Sequence, residues 1–292
     1  MSVLLDARTK LLVQGITGHQ GQFHTRAMLD YGTKVVAGVT PGKGGMSIEG
    51  VPVYDSCFEA VDATGADASI LFVPAPYAKD AAIEAIEAGI ELLVMITERI
   101  PFHDCLDFVP YARAKGCRVV GPNCPGLISP GKAKAGIMPS HIFREGDVGV
   151  ISRSGTLTYE IVNAITQAGF GQSTCLGIGG DPVIGTSMPE ALELLAKDRQ
   201  TKRIVVVGEI GGTTEEDTAK RARRVRKPVY AYIAGRTAPP GKRMGHAGAI
   251  ISGGMGTAES KVKAFEAAHV SVAAYPVEIA ELLRRSTDTP TS

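Results

Sequence analysis

Short β-branched runs alternate with longer amphipathic stretches along nearly the whole chain, and this alternation is the strongest constraint on its fold. The runs at 10–14, 34–39, 69–73, 92–96 and 118–120 read as strands. Between them, GQFHTRAMLDYG and KDAAIEAIEAGI place apolar residues at helical spacing. Strands separated by helices predict βαβ units around a parallel sheet, so the first 120 or so residues are expected to form one doubly wound domain. The stretch 123–146 breaks the rhythm: Pro and Gly recur without a helical period, which predicts a linker. The pattern then restarts, with strands expected at 148–151, 173–176, 203–207 and 229–233 and a helix from about residue 156. EIAELLRRS is expected as a C-terminal amphipathic helix. The chain therefore divides into an α/β domain at 1–122, a linker at 123–146, a second α/β domain at 147–287 and a frayed tail at 288–292.

Composition narrows the functional classes. Lys plus Arg is 31 and Asp plus Glu is 30, so no electrostatic footprint for nucleic acid or for an anionic membrane exists. Trp is absent and aromatic residues are 5%, which argues against a base-stacking surface. The five cysteines, Cys57, Cys105, Cys117, Cys124 and Cys175, are odd in number and form no CxxC pair, so neither a zinc ribbon nor a disulfide framework is expected. The opening MSVLLDARTK has no cationic segment leading into a long apolar run, and no stretch approaches the roughly 18 apolar residues of a membrane span. A cytoplasmic location is the expectation. Glycine, at 35 of 292 residues against an average usage of about 7%, needs a local explanation.

That explanation begins after the first strand, where Gly15-Ile16-Thr17-Gly18-His19-Gln20-Gly21 is spaced G-x-x-G-x-x-G and opens a helix. Such a loop admits either a tight strand-to-helix turn or close approach of backbone N–H groups to a phosphate. The spacing is not the G-x-G-x-x-G of a dinucleotide site. After the second strand, where an NAD site carries Asp or Glu, stands Thr40-Pro41-Gly42-Lys43-Gly44-Gly45. A lysine among glycines suits a ribose phosphate, as in NADP or coenzyme A, and a solvated turn is the alternative. Val73-Pro74-Ala75-Pro76 and Ile96-Thr97-Glu98 end later strands and are expected in the same crevice.

In the second half, Ser152-Arg153-Ser154-Gly155-Thr156-Leu157-Thr158-Tyr159 lies between a strand and a helix, as an N-cap or an anion site. The glycine-rich segments 177–181 and 208–212 also follow strands, so three loops point to one crevice. The sharpest feature is Lys242-Arg243-Met244-Gly245-His246-Ala247-Gly248. Small neighbours leave the His246 imidazole unshielded, and a neutral imidazole is a nucleophile near neutral pH. The other histidines, His19, His24, His103, His141 and His269, lack such a setting. No Walker A motif is present: GVTPGK is followed by Gly44, and GRTAPPGKR is one residue too long. A nucleotide used here must therefore be held on another subunit.

Taken together, GITGHQG, GVTPGKGG, ITE, GPNCPG, SRSGTLTYE, GEIGG and above all GKRMGHAGAII resemble the α-subunit family of succinyl-CoA synthetase (succinate–CoA ligase), collinearly over nearly the whole chain. The resemblance implies a Rossmann-like CoA-binding domain followed by a flavodoxin-like α/β domain. It further implies formation of succinyl-CoA from succinate and CoA, with ATP or GTP cleavage, through an acyl phosphate and a phosphohistidine. Its implied catalytic residues are His246, the phosphorylated group, and Glu209, which orients it. Ser154, Gly155 and Thr156 are implied to hold phosphate, and Tyr159 matches a residue near the dicarboxylic acid. CoA contacts fall on Thr17, Gly18, His19, Gln20, Lys43, Ile96, Thr97 and Glu98. The nucleotide and Mg²⁺ belong in this family to an ATP-grasp β subunit, in an αβ or α₂β₂ assembly; no metal site is expected on this chain.

Three positions depart from the family pattern: Arg99 where glycine is usual, Ser140 in place of glycine, and Pro240 where lysine is common. Relatives with the same histidine loop use malate or citrate, a CoA-binding protein without chemistry is a second class, and an NADP oxidoreductase a third. His246 with Glu209 argues against the second, and the glycine spacing and the second domain's anion loops against the third.

Overall fold

A computed structural model of the chain describes residues 3–239, 244–246, 248–251 and 255–285. They form two compact units, one of Leu4–Met138 with Val183–Thr186, the other of Pro139–Pro182 and residues 187–285 with Val3. Pro240, Lys242, Arg243, Ala247 and the tail at 288–292 lie outside the described residues.

The first unit runs β1 (Lys10–Gln14), α1 (His19–Asp30), β2 (Lys34–Val39), β3 (Ser47–Ile48), β4 (Val51–Tyr54), α2 (Cys57–Thr64), β5 (Ala68–Leu71), α3 (Ala75–Glu87), β6 (Leu92–Met95), α4 (Phe102–Ala114), β7 (Arg118–Val120), β8 (Gly126–Ser129) and β9 (Ala133–Gly136). The parallel strands lie in the order β4-β2-β1-β5-β6-β7, with β3 antiparallel at the β4 edge. Numbered by succession of the parallel strands, this is the Rossmann order 3-2-1-4-5-6, whose direction reverses between β1 and β5. Every residue of β5 and β6 is buried, as a sheet covered on both faces requires. In register, Val13 of β1 stands between Gly38 and Ile70.

The segment 123–146, expected as a linker, instead holds the antiparallel pair β8–β9, a 3₁₀ turn at Ser140–Ile142 and the start of the next strand. Its glycines are there for close approach. Gly126 pairs with Gly136 across the hairpin, and a Cβ on Gly126 would lie 2.5 Å from the Gly136 Cα. Punctuation that reads as a linker is here the signature of two four-residue strands in tight contact.

The second unit runs β10 (Glu145–Ser152), α5 (Gly155–Gln167), β11 (Gln172–Gly177), α6 (Met188–Lys197), β12 (Arg203–Glu209), α7 (Thr214–Ala222), β13 (Val229–Ala234), α8 (Ala258–Ala267), β14 (Ser271–Ala273) and α9 (Glu278–Arg285). Its parallel strands lie in the order β14-β13-β12-β10-β11, which is the flavodoxin-like 2-1-3-4-5 read from the other edge. Direction reverses between β10 and β12. Ser152, the last residue of β10, is level with Gly177 of β11 and Val207 of β12, so the loops after all three strands leave the sheet at one place. Helix starts are set locally: Ser187 and Glu190 form a capping box on α6, and Thr257 accepts the Ser260 N–H on α8.

None of the five cysteines is in a disulfide, and all are buried. Burial raises the Cys57 and Cys175 thiols and takes Cys117 up to about 11, so none of these three is poised as a thiolate. Among the described residues no helix is long and apolar enough to cross a membrane.

Candidate active site

The three loops that leave the second unit's sheet together carry Arg153, the glycines at 179 and 180, and Glu209. At the end of β12 the Glu209 carboxylate is 9% exposed and faces the imidazole of His246. His246 Nδ1 lies 2.8 Å from Oε2 and 3.0 Å from Oε1 of Glu209. The imidazole remains 24% exposed. With the carboxylate on Nδ1, that nitrogen is the natural carrier of the ring proton and Nε2 is left as the nucleophile. The hydrogen bond to Glu209 raises the His246 pKa above its usual value; burial and Arg153 oppose it, and Asp181 adds to it.

His246 stands in a turn closed on itself. The Met244 N–H donates to Ala249 O at 2.8 Å and the Ala249 N–H to His246 O at 3.2 Å, with Gly245 at φ +83°. The ring packs on Gly180, where a Cβ would lie 2.5 Å from His246 Nδ1. Glycine at 180 is thus the condition for the imidazole to sit beside Glu209.

Arg153, buried between these groups, approaches Glu209 Oε1 at 3.5 Å through Nη2. Through Nη1 it donates to Glu215 Oε1 at 3.0 Å and to the Gly211 carbonyl at 3.2 Å. Next along the chain, Ser154 caps α5 by accepting the Leu157 N–H at 3.4 Å. Gly155 and Thr156 are the first helical residues, so their N–H groups lack intrahelical acceptors and face the positive end of the helix. The site therefore holds a nucleophile, its orienting carboxylate, a guanidinium and a helix N-terminus, the set that phosphoryl transfer to nitrogen needs. Tyr159 is half-buried on the second turn of the same helix.

The remaining candidates lie in the first unit, at the carboxyl ends of its strands. Gly15 follows β1, and its N–H donates to Val39 O at 2.8 Å. Gly18 caps α1 without any side-chain hydrogen bond, so the first turn, with His19 and Gln20 exposed, keeps its N–H groups for another acceptor. A Cβ on Gly21 would lie 2.9 Å from the Gly15 carbonyl carbon, so glycine is what lets the helix start so close to the strand end. Thr17 Oγ1 meets Thr40 Oγ1 at 3.2 Å, which joins this loop to the turn that carries Lys43. Lys43 is exposed, and its N–H closes the turn onto Thr40 O. After β6, Ile96 and Thr97 are half-buried and Glu98 exposed; the Thr97 hydroxyl donates to Val73 O at 2.7 Å. An uncapped helix start, a glycine cradle and one lysine fit a phosphate-bearing ligand at the switch point of the sheet.

Sequence reasoning leaves Arg153, Gly180, Glu215 and Lys261 without a role. Arg153 and Gly180 lie inside motifs whose other members carry the expected roles. The other two emerge only once the helices are packed: Glu215 falls on the buried face of α7 with Thr218, Ala219 and Ala222, and Lys261 on that of α8 with Ala258 and Phe265. A charge in an apolar stripe is a charge with a buried partner.

Comparison with known proteins follows the same division. A CoA binding domain family matches residues 6–99 and a CoA-ligase family residues 151–271. The chain is 59% identical to a succinate–CoA ligase [ADP-forming] subunit alpha 2 of Archaeoglobus fulgidus, over 97% of this chain and 99% of that one. It is 57% identical to a succinate–CoA ligase [ADP-forming] subunit alpha of Methanothermobacter thermautotrophicus, over 97% and 96%. Among solved structures, an ATP citrate lyase of Methanosaeta concilii in complex with (3S)-citryl-CoA superposes with a TM-score of 0.89 at 26% identity, over 98% of this chain; the chain spans half the length of that lyase.

Proposed function

The chain belongs to the succinate–CoA ligase α-subunit family, and on that premise we propose that it forms succinyl-CoA from succinate and coenzyme A, reversibly and at the cost of ATP or GTP, in the tricarboxylic acid cycle. As an α subunit it acts with a β subunit, which in this proposal is an ATP-grasp protein that holds the nucleotide and Mg²⁺, the pair assembling as αβ or α₂β₂.

The observation that carries the reading is the two-oxygen contact of Glu209 with His246 Nδ1, against Arg153, which immediately precedes the Ser154 cap of α5. In the ligation direction, His246 Nε2 attacks the γ-phosphorus of the triphosphate; the N–P bond forms, the P–O bond to the diphosphate breaks, and the diphosphate leaves. Glu209 keeps the Nδ1 proton and stabilises the charge that develops on the ring. Ser154, Gly155 and Thr156 receive the phosphoryl oxygens at the helix start. A succinate carboxylate oxygen, with the acid placed near Tyr159, then takes the phosphoryl group from His246 and becomes an acyl phosphate. The CoA thiolate attacks its carbonyl carbon and phosphate leaves. Thr17, Gly18, His19, Gln20, Lys43, Ile96, Thr97 and Glu98 hold CoA in this reading, with Lys43 and the uncapped α1 on its phosphates.

A panel of acids tests the proposal. With CoA and each nucleotide supplied to the co-expressed subunits, succinate is expected to give a kcat/KM at least about tenfold above malate or citrate. A preference for citrate or malate would overturn the assignment of the acid, and acyl-CoA formation without any nucleotide would overturn the ligase chemistry.

A further inference from the structure

Behind the His246–Glu209 pair lies a row of buried charges that the chemistry above does not use. Lys261 on α8 and Glu215 on α7 are both 0% exposed and form an ion pair through Lys261 Nζ and Glu215 Oε2. The other oxygen of Glu215 accepts from Arg153 Nη1 at 3.0 Å and from the Glu209 N–H at 3.2 Å. Lys261 Nζ also donates to Gly211 O at 2.8 Å, the carbonyl that Arg153 Nη1 reaches at 3.2 Å. Two buried cations thus grip the loop that follows Glu209. That loop packs on the histidine turn, since a Cβ on Gly211 would lie 2.8 Å from the Ile250 nitrogen. The contacts run unbroken from Lys261 through Glu215, Arg153 and Glu209 to His246.

The distances show how Arg153 is shared. Its guanidinium is closer to Glu215, at 3.0 Å, than to Glu209, at 3.5 Å, while Glu209 is closer to His246, at 2.8 Å, than to Arg153. A guanidinium binds a carboxylate best through two parallel N–H···O bonds, and such a bond to Glu209 would compete with the imidazole for the same oxygens. Glu215 takes up that capacity, and Lys261 in turn balances Glu215, whose burial without a cation would be unfavourable. We propose that Glu215 and Lys261 are positioning residues for phosphoryl transfer at His246: they hold Arg153 away from Glu209 and so keep the Glu209 carboxylate on the imidazole. The inference rests on the phosphohistidine reading above and assigns two residues that touch neither substrate nor His246.

The charges facing His246 are Glu209 at the end of β12, Arg153 after β10 and Asp181 after β11, with Glu215 and Glu216 on α7 and Lys261 on α8 behind them. Removing one buried partner alone strands a charge, so the principal variant removes one of each sign: Glu215→Gln with Lys261→Met, in the full chain co-expressed with its β subunit. The readout is the pH profile of single-turnover label incorporation at His246, alongside the KM for CoA. With Arg153 turned onto Glu209, the acid limb of the profile is expected to move down by about one pH unit. The plateau rate is expected to fall at least about tenfold, with the KM for CoA within about twofold of wild type. A folded complex with an unmoved acid limb overturns the proposal, even if its melting temperature drops. Glu215→Asp covers the case in which the double variant does not assemble: it keeps the charge, withdraws it by one methylene, and is expected to shift the limb in the same direction by a smaller amount; an unshifted limb there also overturns the proposal. Failure of the phosphohistidine reading is seen separately, as label that persists in His246→Ala.

Discussion

Both carboxylate oxygens of Glu209 lie within 3.0 Å of His246 Nδ1, which leaves Nε2 as the nitrogen for the proposed attack on phosphorus. The pairing governs how the site responds to pH. Glu209 raises the His246 pKa, so the ring stays protonated to a higher pH than a free histidine, whose value is about 6.5. Phosphorylation needs the free Nε2 lone pair and is therefore expected to rise with pH through the raised pKa. In Glu209→Gln the acid limb is expected at lower pH, and the plateau rate about 10- to 100-fold lower. Rapid-quench incorporation of labelled phosphate between pH 5.5 and 8.5 measures both; identical profiles would remove Glu209 from its role.

The same pair links stability to pH. A histidine whose folded pKa is raised contributes stability fully below its unfolded pKa, near 6.5, and loses that contribution as pH rises through the folded pKa. The melting-temperature difference between wild type and Glu209→Gln is thus expected to be larger at pH 6 than at pH 8.5. Differential scanning fluorimetry at the two values decides it; a difference that grows with pH contradicts the linkage.

Gly180→Ala tests the seating of the imidazole. The added Cβ would lie 2.5 Å from Nδ1, so the ring must leave Glu209 or the backbone must yield. Phosphorylation is expected to fall by about 100-fold, since a displacement near 1 Å costs about that much in a positioned reaction. CoA affinity, measured by calorimetry, is expected to stay at the wild-type value.

In the first unit the complementary change is Gly21→Ala. Its Cβ would lie 2.9 Å from the backbone carbon of Gly15, and backbone cannot step aside as a flexible side chain does. A loss of about 1–3 kcal/mol in stability is expected from the overpacking, together with weaker CoA binding. Nucleotide-dependent labelling of His246 is expected to survive, which separates the two functions; unaltered CoA affinity would argue against this loop as the CoA cradle.

Arg99, the departure beside Glu98, sits at φ +63°. A left-handed backbone costs an L-residue about 1–2 kcal/mol, which glycine avoids. Arg99→Gly is expected to raise the urea midpoint by the equivalent of about 1 kcal/mol, part of the gain being offset by the freer unfolded chain. A lowered midpoint would show that the arginine side chain contributes more than its backbone costs.

Much of this architecture is legible in the amino-acid order. Lys10–Gln14, Lys34–Val39 and Arg118–Val120 are strands over the residues expected, because each is a short run rich in Leu and Val, opened by a cation and closed by a glycine or a polar turn. The short β3 and β4, which flank the turn at Glu49 and Gly50, and the hairpin β8–β9 are not legible. β3 has only two residues, Pro52 interrupts β4, and the glycines and prolines around β8 and β9 imitate a linker, so none of them shows a period. His246 and Glu209 stand out by their glycine-rich surroundings, although they are 37 positions apart. Glu215 and Lys261 stay hidden because TTEEDTAKRA and AESKVKAFEA look like solvated helix faces until their packing is known.

The central claim is that His246 carries the phosphoryl group. The complex of this chain with its β subunit, incubated with γ-labelled nucleotide, is expected to yield label on the α chain that is lost in acid and stable in base, discharged by succinate with CoA, and absent in His246→Ala. Label of the same stability on the α chain of His246→Ala would contradict it.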